Sequence, residues 1–532
     1  MRADRLSDVA AALSVVPPLT IWGDSDGVKL EIKPYLQPFE RQLADLELAA
    51  LVGRVDASSQ NGYLVVKGDV VEDDLRERLT YWQRVGTDVL VPTRQTLLEL
   101  SQNGSAPLSE ANPQLHRARR LRYGVHGLHE YRGKFFPQLV RSLINISKLS
   151  PGAVVLDPMC GSGTAPCEAV ALSHHALGLD LNPLSVFVSR VKCAVTTAPK
   201  SFSADTRKIV ASLSFRSTSP ASVWPDDIDY LPMWFSADAL TDLASLVVAI
   251  AERKPLTRGF LFACLSNIIR SVSWQKEADL RVRKEIRTYA KGQAVELFRA
   301  AVEEQLDRIE PYQALLPSEV RGAPYDIREG DAVAVDEVFH DFRGKIDLIV
   351  TSPPYSTALP YLDTDRLSLV VLGLLPRKQH RGTEASMIGT REVSEAERKT
   401  EWRRYQTQKN QLPDAVARLI DDMAEHYHAD SVGFRRRNLP ALLAKYYLAM
   451  TDAMRSAHHL MRPGSYAFYV VGNNSTTVHG ERVEIPTDDF LKQIGERVGW
   501  THVDTINMEL LPSRDIFREN RGSKETILWF RA

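Results

Sequence analysis

The feature that most constrains this chain is Asp157-Pro158-Met159-Cys160-Gly161-Ser162-Gly163-Thr164, a glycine-rich turn between a short apolar run and an apolar helix. Ala153 to Leu156 reads as a strand, and Ala165 to Leu172 as the helix that follows. A second short strand, Ala176 to Leu179, ends at Asp180. Strand, glycine turn, helix and acid-terminated strand make a nucleotide-binding βαβ unit, which requires a mostly parallel sheet covered by helices. Glycines at such a turn let the backbone approach a ligand, and the helix start offers unpaired N–H groups. Neither a full G-x-G-x-x-G nor a G-x-x-x-x-G-K-[ST] is present, so the dinucleotide and ATP readings lose ground.

The acid at the front of the loop favours S-adenosylmethionine. Asp157 can accept a hydrogen bond from that cofactor's α-amino group, and Asp180 is placed to hold ribose hydroxyls. A second string, Thr351-Ser352-Pro353-Pro354-Tyr355, follows the strand-like Ile346 to Val350. Each proline fixes φ and removes a donor, so the loop is stiff and presents carbonyl oxygens. An exocyclic amine on a base is a poor nucleophile because its lone pair is delocalised into the ring. Acceptors that bind both amine hydrogens draw the nitrogen toward tetrahedral geometry, and the Ser352 side chain and Pro353 carbonyl are the candidates. Tyr355 offers an aromatic face on which an extruded base can stack. An isolated SPPY would be an inert turn; its place after a strand, downstream of the glycine loop, makes it a candidate catalytic loop.

DPMCGSGT, then Gly178 to Pro183 (GLDLNP) and TSPPY, closely resemble the motifs of S-adenosylmethionine-dependent DNA amino-methyltransferases, the cytosine-N4 and adenine-N6 type. The resemblance covers about residues 126–195 and 325–375, and more loosely Leu460 to Val471 and Lys524 to Trp529. It implies a Rossmann-like class I methyltransferase core, a mostly parallel seven-stranded sheet, with motifs in an order that needs no circular permutation. It also implies a cofactor set of Lys134, Phe135, Phe136 and Pro137 (in HEYRGKFFP), Asp157, Pro158, Gly161, Ser162, Gly163, Thr164, Asp180, Asn182 and Thr351. Asp331 is positioned like the family acid that contacts the adenine, although Asp326 lies close by. Ser352 at the head of the loop points to cytosine N4, with adenine N6 the alternative. Pro166-Cys167 is similar to the nucleophilic dipeptide of cytosine-C5 enzymes, but it starts the helix after the glycine loop. TSPPY holds the place of that nucleophile, so Cys167 is expected to be a buried thiol.

The rest of the chain is read more coarsely. Its 532 residues are 44% hydrophobic and 25% charged, normal for a globular protein. The formal net charge of −1 means that any nucleic-acid contact must come from local patches. Four irregularly spaced cysteines suggest neither a disulfide framework nor a zinc site, so no metal is expected. No signal peptide or spanning segment is read, which places the protein in a cytoplasm or nucleoid. We divide the chain into an N-terminal α/β domain (1–115), the first part of the core (116–200), a helical insertion (201–320), the core with the catalytic loop (321–375), a polar, irregular region (376–440) and the C-terminal part of the core (441–532). In Tyr35 to Leu51, residues Leu36, Phe39, Leu43, Leu46 and Leu51 fall near one helical face. Arg117, Arg119 and Arg120, and Arg435, Arg436 and Arg437, are candidate DNA contacts, each cluster weighed against plain solvated surface. Either insertion could read a target sequence in the major groove. Double-stranded DNA is the expected partner, with room for a restriction or host-defence partner. Two rivals stand beside this reading: an RNA or protein amino-methyltransferase, and a catalytically silent DNA-binding subunit.

Overall fold

The computed structural model describes residues 27–53, 56–60, 63–68, 70–101, 120–131, 135–276, 283–356, 361–391, 393–427, 433–478, 481–508 and 525–532. The N-terminal part is a five-stranded antiparallel sheet of β1 (Val28–Ile32), β2 (Asp56–Gln60), β3 (Tyr63–Lys67), β4 (Trp82–Gly86) and β5 (Val91–Pro92), in the order β2-β3-β1-β4-β5. Helix α1 (Pro38–Val52) opens with a Gln37–Glu40 capping box. Its buried stripe runs through Phe39, Leu43, Ala44 and Leu48, with Leu46 and Leu51 only half-buried at the edge. The expected face is therefore rotated slightly, because Glu47 is also buried there. Helix α2 (Arg94–Leu100) completes the unit.

This unit shares its core with the rest of the molecule: one apolar cluster runs from Val28 and Leu43 through Leu139 and Val155 to Trp529. Helix α3 (Pro137–Ile146) lies at the seam. There Asn145 Nδ2 donates to Glu47 Oε1 at 2.7 Å, and Gln138 Nε2 donates to Glu99 Oε1 at 3.2 Å.

The main sheet has seven strands: β6 (Val154–Asp157), β7 (His175–Asp180), β8 (Tyr325–Glu329), β9 (Ile346–Thr351), β10 (Met461–Gly472), β13 (Thr501–Met508) and β14 (Glu525–Arg531). Their order is β13-β14-β10-β9-β6-β7-β8. The pairs β7·β8, β6·β7, β6·β9 and β9·β10 are parallel, and β14 runs antiparallel to both β10 and β13. This is the Rossmann-like arrangement of class I methyltransferases. Helices α4 (Thr164–Ala171) and α5 (Pro183–Thr196) carry the β6–β7 crossover and the exit from β7. The order of the sheet reverses between β6 and β9, so a crevice opens past the carboxyl ends of those strands. A small hairpin of β11 (Asn474–Val478) and β12 (Glu481–Ile485) follows β10.

Between β7 and β8 the chain is helical, with α6 (Phe202–Ala211), α7 (Ala237–Ala251), α8 (Pro255–Val272) and α9 (Gln293–Leu315). After α10 (Tyr361–Val371), the region expected to be irregular forms α11 (His380–Ser386), α12 (Glu395–Gln408) and α13 (Asp414–His426). They pack against α14 (Phe434–Leu460) and α15 (Thr487–Arg497) closes the fold. The physical reason for the difference is legible afterwards. Ser394 and Glu397 form a capping box, and Val416, Ile420 and Met423 recur at helical spacing into the core, an apolar stripe too sparse to outweigh the polar composition. Among the described residues, no helix is long and apolar enough to cross a membrane.

Candidate active site

A cavity lies past the carboxyl ends of β6, β7, β8 and β9. Of the expected cofactor set, Phe135, Asp157, Pro158, Gly161, Ser162, Thr164, Asp180 and Asp331 line it, and Ser352 and Pro354 of the candidate catalytic loop line the same space. The glycine loop earns its composition here. Gly163 adopts φ +77°, and a Cβ on it would lie 2.2 Å from Ser189 Oγ. Gly161 sits under Tyr131, whose hydroxyl lies 3.0 Å from Ser185 Oγ.

Besides Asp331, two carboxylates line the cavity. Asp157 Oδ1 accepts from Thr351 Oγ1 at 2.7 Å and from the Met159 N–H at 3.1 Å. Burial pushes its pKa up to about 7, with those bonds opposing and the neighbouring Asp180 charge adding to the rise. Asp180 accepts from Gly161 N and Asn182 N, each at 2.8 Å, and burial raises it to about 6. Burial makes both acids costly to ionise, so a cationic ligand is the natural complement. A glycine floor with two such acids beside it fits the amino-acid end and ribose of S-adenosylmethionine.

The loop Thr351 to Tyr355 is held by β10 and β14. Ser352 Oγ donates to Val470 O at 3.1 Å, which leaves its lone pairs to accept from another donor. Tyr355 OH donates to Glu525 Oε1 at 2.6 Å, and its ring lies so close to Gly472 that a Cβ there would meet it at 2.8 Å. Ser356 Oγ accepts from Asn474 Nδ2 at 2.8 Å, which pins the loop's far end.

Other expected residues stand elsewhere. Thr351 is buried behind Asp157 as its hydrogen-bond donor rather than in the cavity wall. Asn182, expected at the cofactor, is fully buried and caps α5 by accepting from Leu184 N. Its position one residue before Pro183 suits an N-cap, and that role takes its side chain away from the cavity. Phe136 and Pro137 form the N-cap and first residue of α3, and neither they nor Pro353 and Tyr355 line the cavity. Asp326 is bonded by Arg328 Nε at 2.9 Å and leaves the cavity to Asp331.

Lys134, Arg117 and Arg119 lie outside the described residues, as does the Arg435 side chain. Arg120, a candidate DNA contact, instead donates to the backbone carbonyl of Leu100 at 3.2 Å and fastens the chain to α2. Arg436 and Arg437 are exposed in the first turn of α14 and do not line the cavity. Cys160, Cys167, Cys193 and Cys264 are all free and buried. Among the described residues, no group of His, Cys, Asp and Glu could hold a metal ion.

Sequence reasoning missed Met159, Cys160, Leu181, Gly330 and Ala332, which neighbour motif residues and could have been found by adjacency. It also missed Met387 and Ile388, just after α11, which no local signal connects to the site.

A family model described as "RMKL-like, methyltransferase domain" matches residues 129–212, the cofactor half of the site. Type II methyltransferase M.MvaI of Kocuria varians is 20% identical over 400 residues, covering 71% of this chain and 82% of that protein. Type II methyltransferase M.MjaII of Methanocaldococcus jannaschii is 35% identical over 68 residues, 13% of each chain. Type II methyltransferase M.BsoBI of Geobacillus stearothermophilus is 38% identical over 61 residues, 12% of each chain. These matches support a methyltransferase that takes S-adenosylmethionine as its methyl donor and is similar to DNA methyltransferases.

Proposed function

We propose that this chain methylates an exocyclic amino group of a base flipped out of double-stranded DNA, cytosine N4 before adenine N6. The observation that carries the reading is Ser352, which shares one cavity with Asp157 and Asp180 while its hydroxyl proton is engaged by Val470 O. An acceptor oriented in this way, beside the stiff Pro353-Pro354 backbone, suits an amine with two hydrogens to bind. Bound S-adenosylmethionine supplies the electrophilic methyl group and its own leaving group. The residues of the chain then do four things. Asp157 and Asp180 hold the charged and hydroxylated ends of the cofactor. Asp331, at the far wall, accepts from its adenine. Ser352 and the Pro353 carbonyl draw the amine hydrogens away from the ring plane, and Tyr355 supports the base by stacking. Alignment of this kind contributes roughly 7–11 kcal/mol to lowering a displacement barrier. Serine at the head of the loop is the residue that the resemblance associates with cytosine N4.

The test is transfer of labelled methyl groups to unmethylated duplex DNA, followed by nucleoside mass spectrometry. N4-methyldeoxycytidine is the expected product, and N6-methyldeoxyadenosine would move the acceptor to adenine. Label found only in RNA or protein would sink the reading. Ser352→Ala and Tyr355→Ala should each abolish transfer while cofactor binding persists.

A further inference from the structure

Helix α8 of the insertion ends beside the cavity. Asn267 Nδ2 donates to Leu128 O at 2.6 Å, and its Oδ1 accepts from Glu130 N at 3.2 Å, next to the cavity residue Tyr131. One turn further on, Arg270 Nη2 donates to Thr364 O at 3.0 Å and pairs with Asp365 at 3.2 Å, in the helix that follows the catalytic loop. The end of α8 is thus fastened between the cofactor wall and α10.

From that anchor the chain doubles back as a short antiparallel arm. Glu285 N donates to Trp274 O at 2.7 Å and Lys276 N to Arg283 O at 2.9 Å, which sets Gln275 opposite Lys284. The base of the arm is tied down. Trp274 N donates to Trp234 O at 2.8 Å, Arg287 Nη2 to Gln275 O at 3.3 Å, and Trp274 Nε1 to Arg287 O at 3.2 Å. Beyond the base, Lys276, Arg283, Lys284 and Glu285 are exposed, with Lys284 Nζ 4.8 Å over the Trp274 ring, and Ile286 is 73% exposed among them. From Lys276 to Lys291 the chain carries six Lys or Arg against three Asp or Glu, within a protein whose net charge is −1.

At the foot of the arm Arg366, on α10, is 8% exposed and stacks over the Trp234 ring at 4.1 Å. Its Nε and Nη2 have no hydrogen-bond partner, nor has Trp234 Nε1. Buried donors left unmet are costly, and an acceptor brought in from outside relieves that cost.

We propose that this arm grips the phosphate backbone of duplex DNA beside the target base, with Lys284 and Arg283 on phosphates and Ile286 pressed into the groove. The proposal rests on the reading of the cavity as a DNA amino-methylation site. Exposed cationic side chains complement a polyanion, and an exposed apolar side chain beside them suits a minor-groove wedge. Because the arm is bonded to the helix after TSPPY, a duplex held by it lies close to the catalytic loop.

Fluorescence anisotropy of a labelled duplex, titrated with the full chain at several salt concentrations, tests this. The double variant Arg283→Ala with Lys284→Ala should bind at least tenfold more weakly and lower the log–log salt slope by about 1.8, roughly 0.9 per lost phosphate contact. Ile286→Ala should weaken binding several-fold with the slope unchanged. Cofactor affinity should match the wild type in all variants, since none of these side chains lines the cavity. Unchanged duplex affinity and slope in the double variant would overturn the arm alone. A loss seen with an RNA hairpin but not with duplex DNA would assign the arm to RNA and overturn the proposal. A wild-type chain that neither binds nor methylates duplex DNA would overturn the arm together with the functional reading.

Discussion

Asp157 sits fully buried with both of its protein hydrogen bonds on Oδ1, and Asp180 shares the cavity wall beside it. Burial holds the first at about 7 and the second at about 6, so both bind protons well above the usual carboxylate range. A cationic amino group can settle on Asp157 only after that proton leaves. Cofactor affinity should therefore climb from pH 5 to about 7, by up to about tenfold per pH unit for each proton released, and then level off. Calorimetric titration across that range checks this, and Asp157→Asn should both weaken binding and flatten the climb. At the other side of the cavity, the ring of Tyr355 is set by two residues that no motif contains. Gly472 leaves room for the ring, and Glu525 holds its hydroxyl. Gly472→Ala should displace the ring and reduce kcat at least tenfold with little change in cofactor affinity. Single-turnover kinetics with a cofactor titration separates those effects.

At the scale of elements, the helix behind the glycine loop is fixed by a buried charge cluster. Glu168 of α4 accepts from Tyr123 OH at 3.0 Å and from Arg141 Nε at 2.8 Å, and lies 2.8 Å from His126 Nε2. Burial alone would raise the carboxyl, yet Arg141 and His126 overcome it and hold it down at about 2. Glu168 thus contributes stability that is fully present above its unfolded pKa, near 4.5, and is lost as pH falls toward 2. Glu168→Gln should cost about 3–5 kcal/mol, because it strands the buried Arg141 charge, and denaturant melts would register it. The glycine loop and its helix were legible in the sequence because strand, turn and helix each carry a local backbone signal. Glu168 was not, since one acid in an apolar helix does not announce three partners from other segments. The helices of residues 376–440 were missed for a related reason: their apolar stripe is narrow, and it becomes decisive only when α14 packs against it.

Across the whole molecule, the N-terminal sheet is joined to the catalytic core by a shared apolar cluster and by buried polar bonds at Asn145 and Gln138. Cutting there would expose core residues of α3 and leave Asn145 and Gln138 without those partners. A chain starting after Ser101 should accordingly lose cooperative thermal unfolding, which calorimetry would show. By itself the sequence determined the parallel α/β core, the cofactor class and the two loops of the site, because periodicity, glycine turns and proline pairs act over a few residues. Tertiary structure alone decided that Thr351 serves Asp157 from the other side of 194 residues, and that Tyr355 meets Glu525 across 170. It likewise brought Met387 and Ile388 to the cavity wall and set Gln275, paired with Lys284, against α10. Such contacts depend on strand order and helix packing, which bring together positions whose spacing along the chain carries no trace of the meeting.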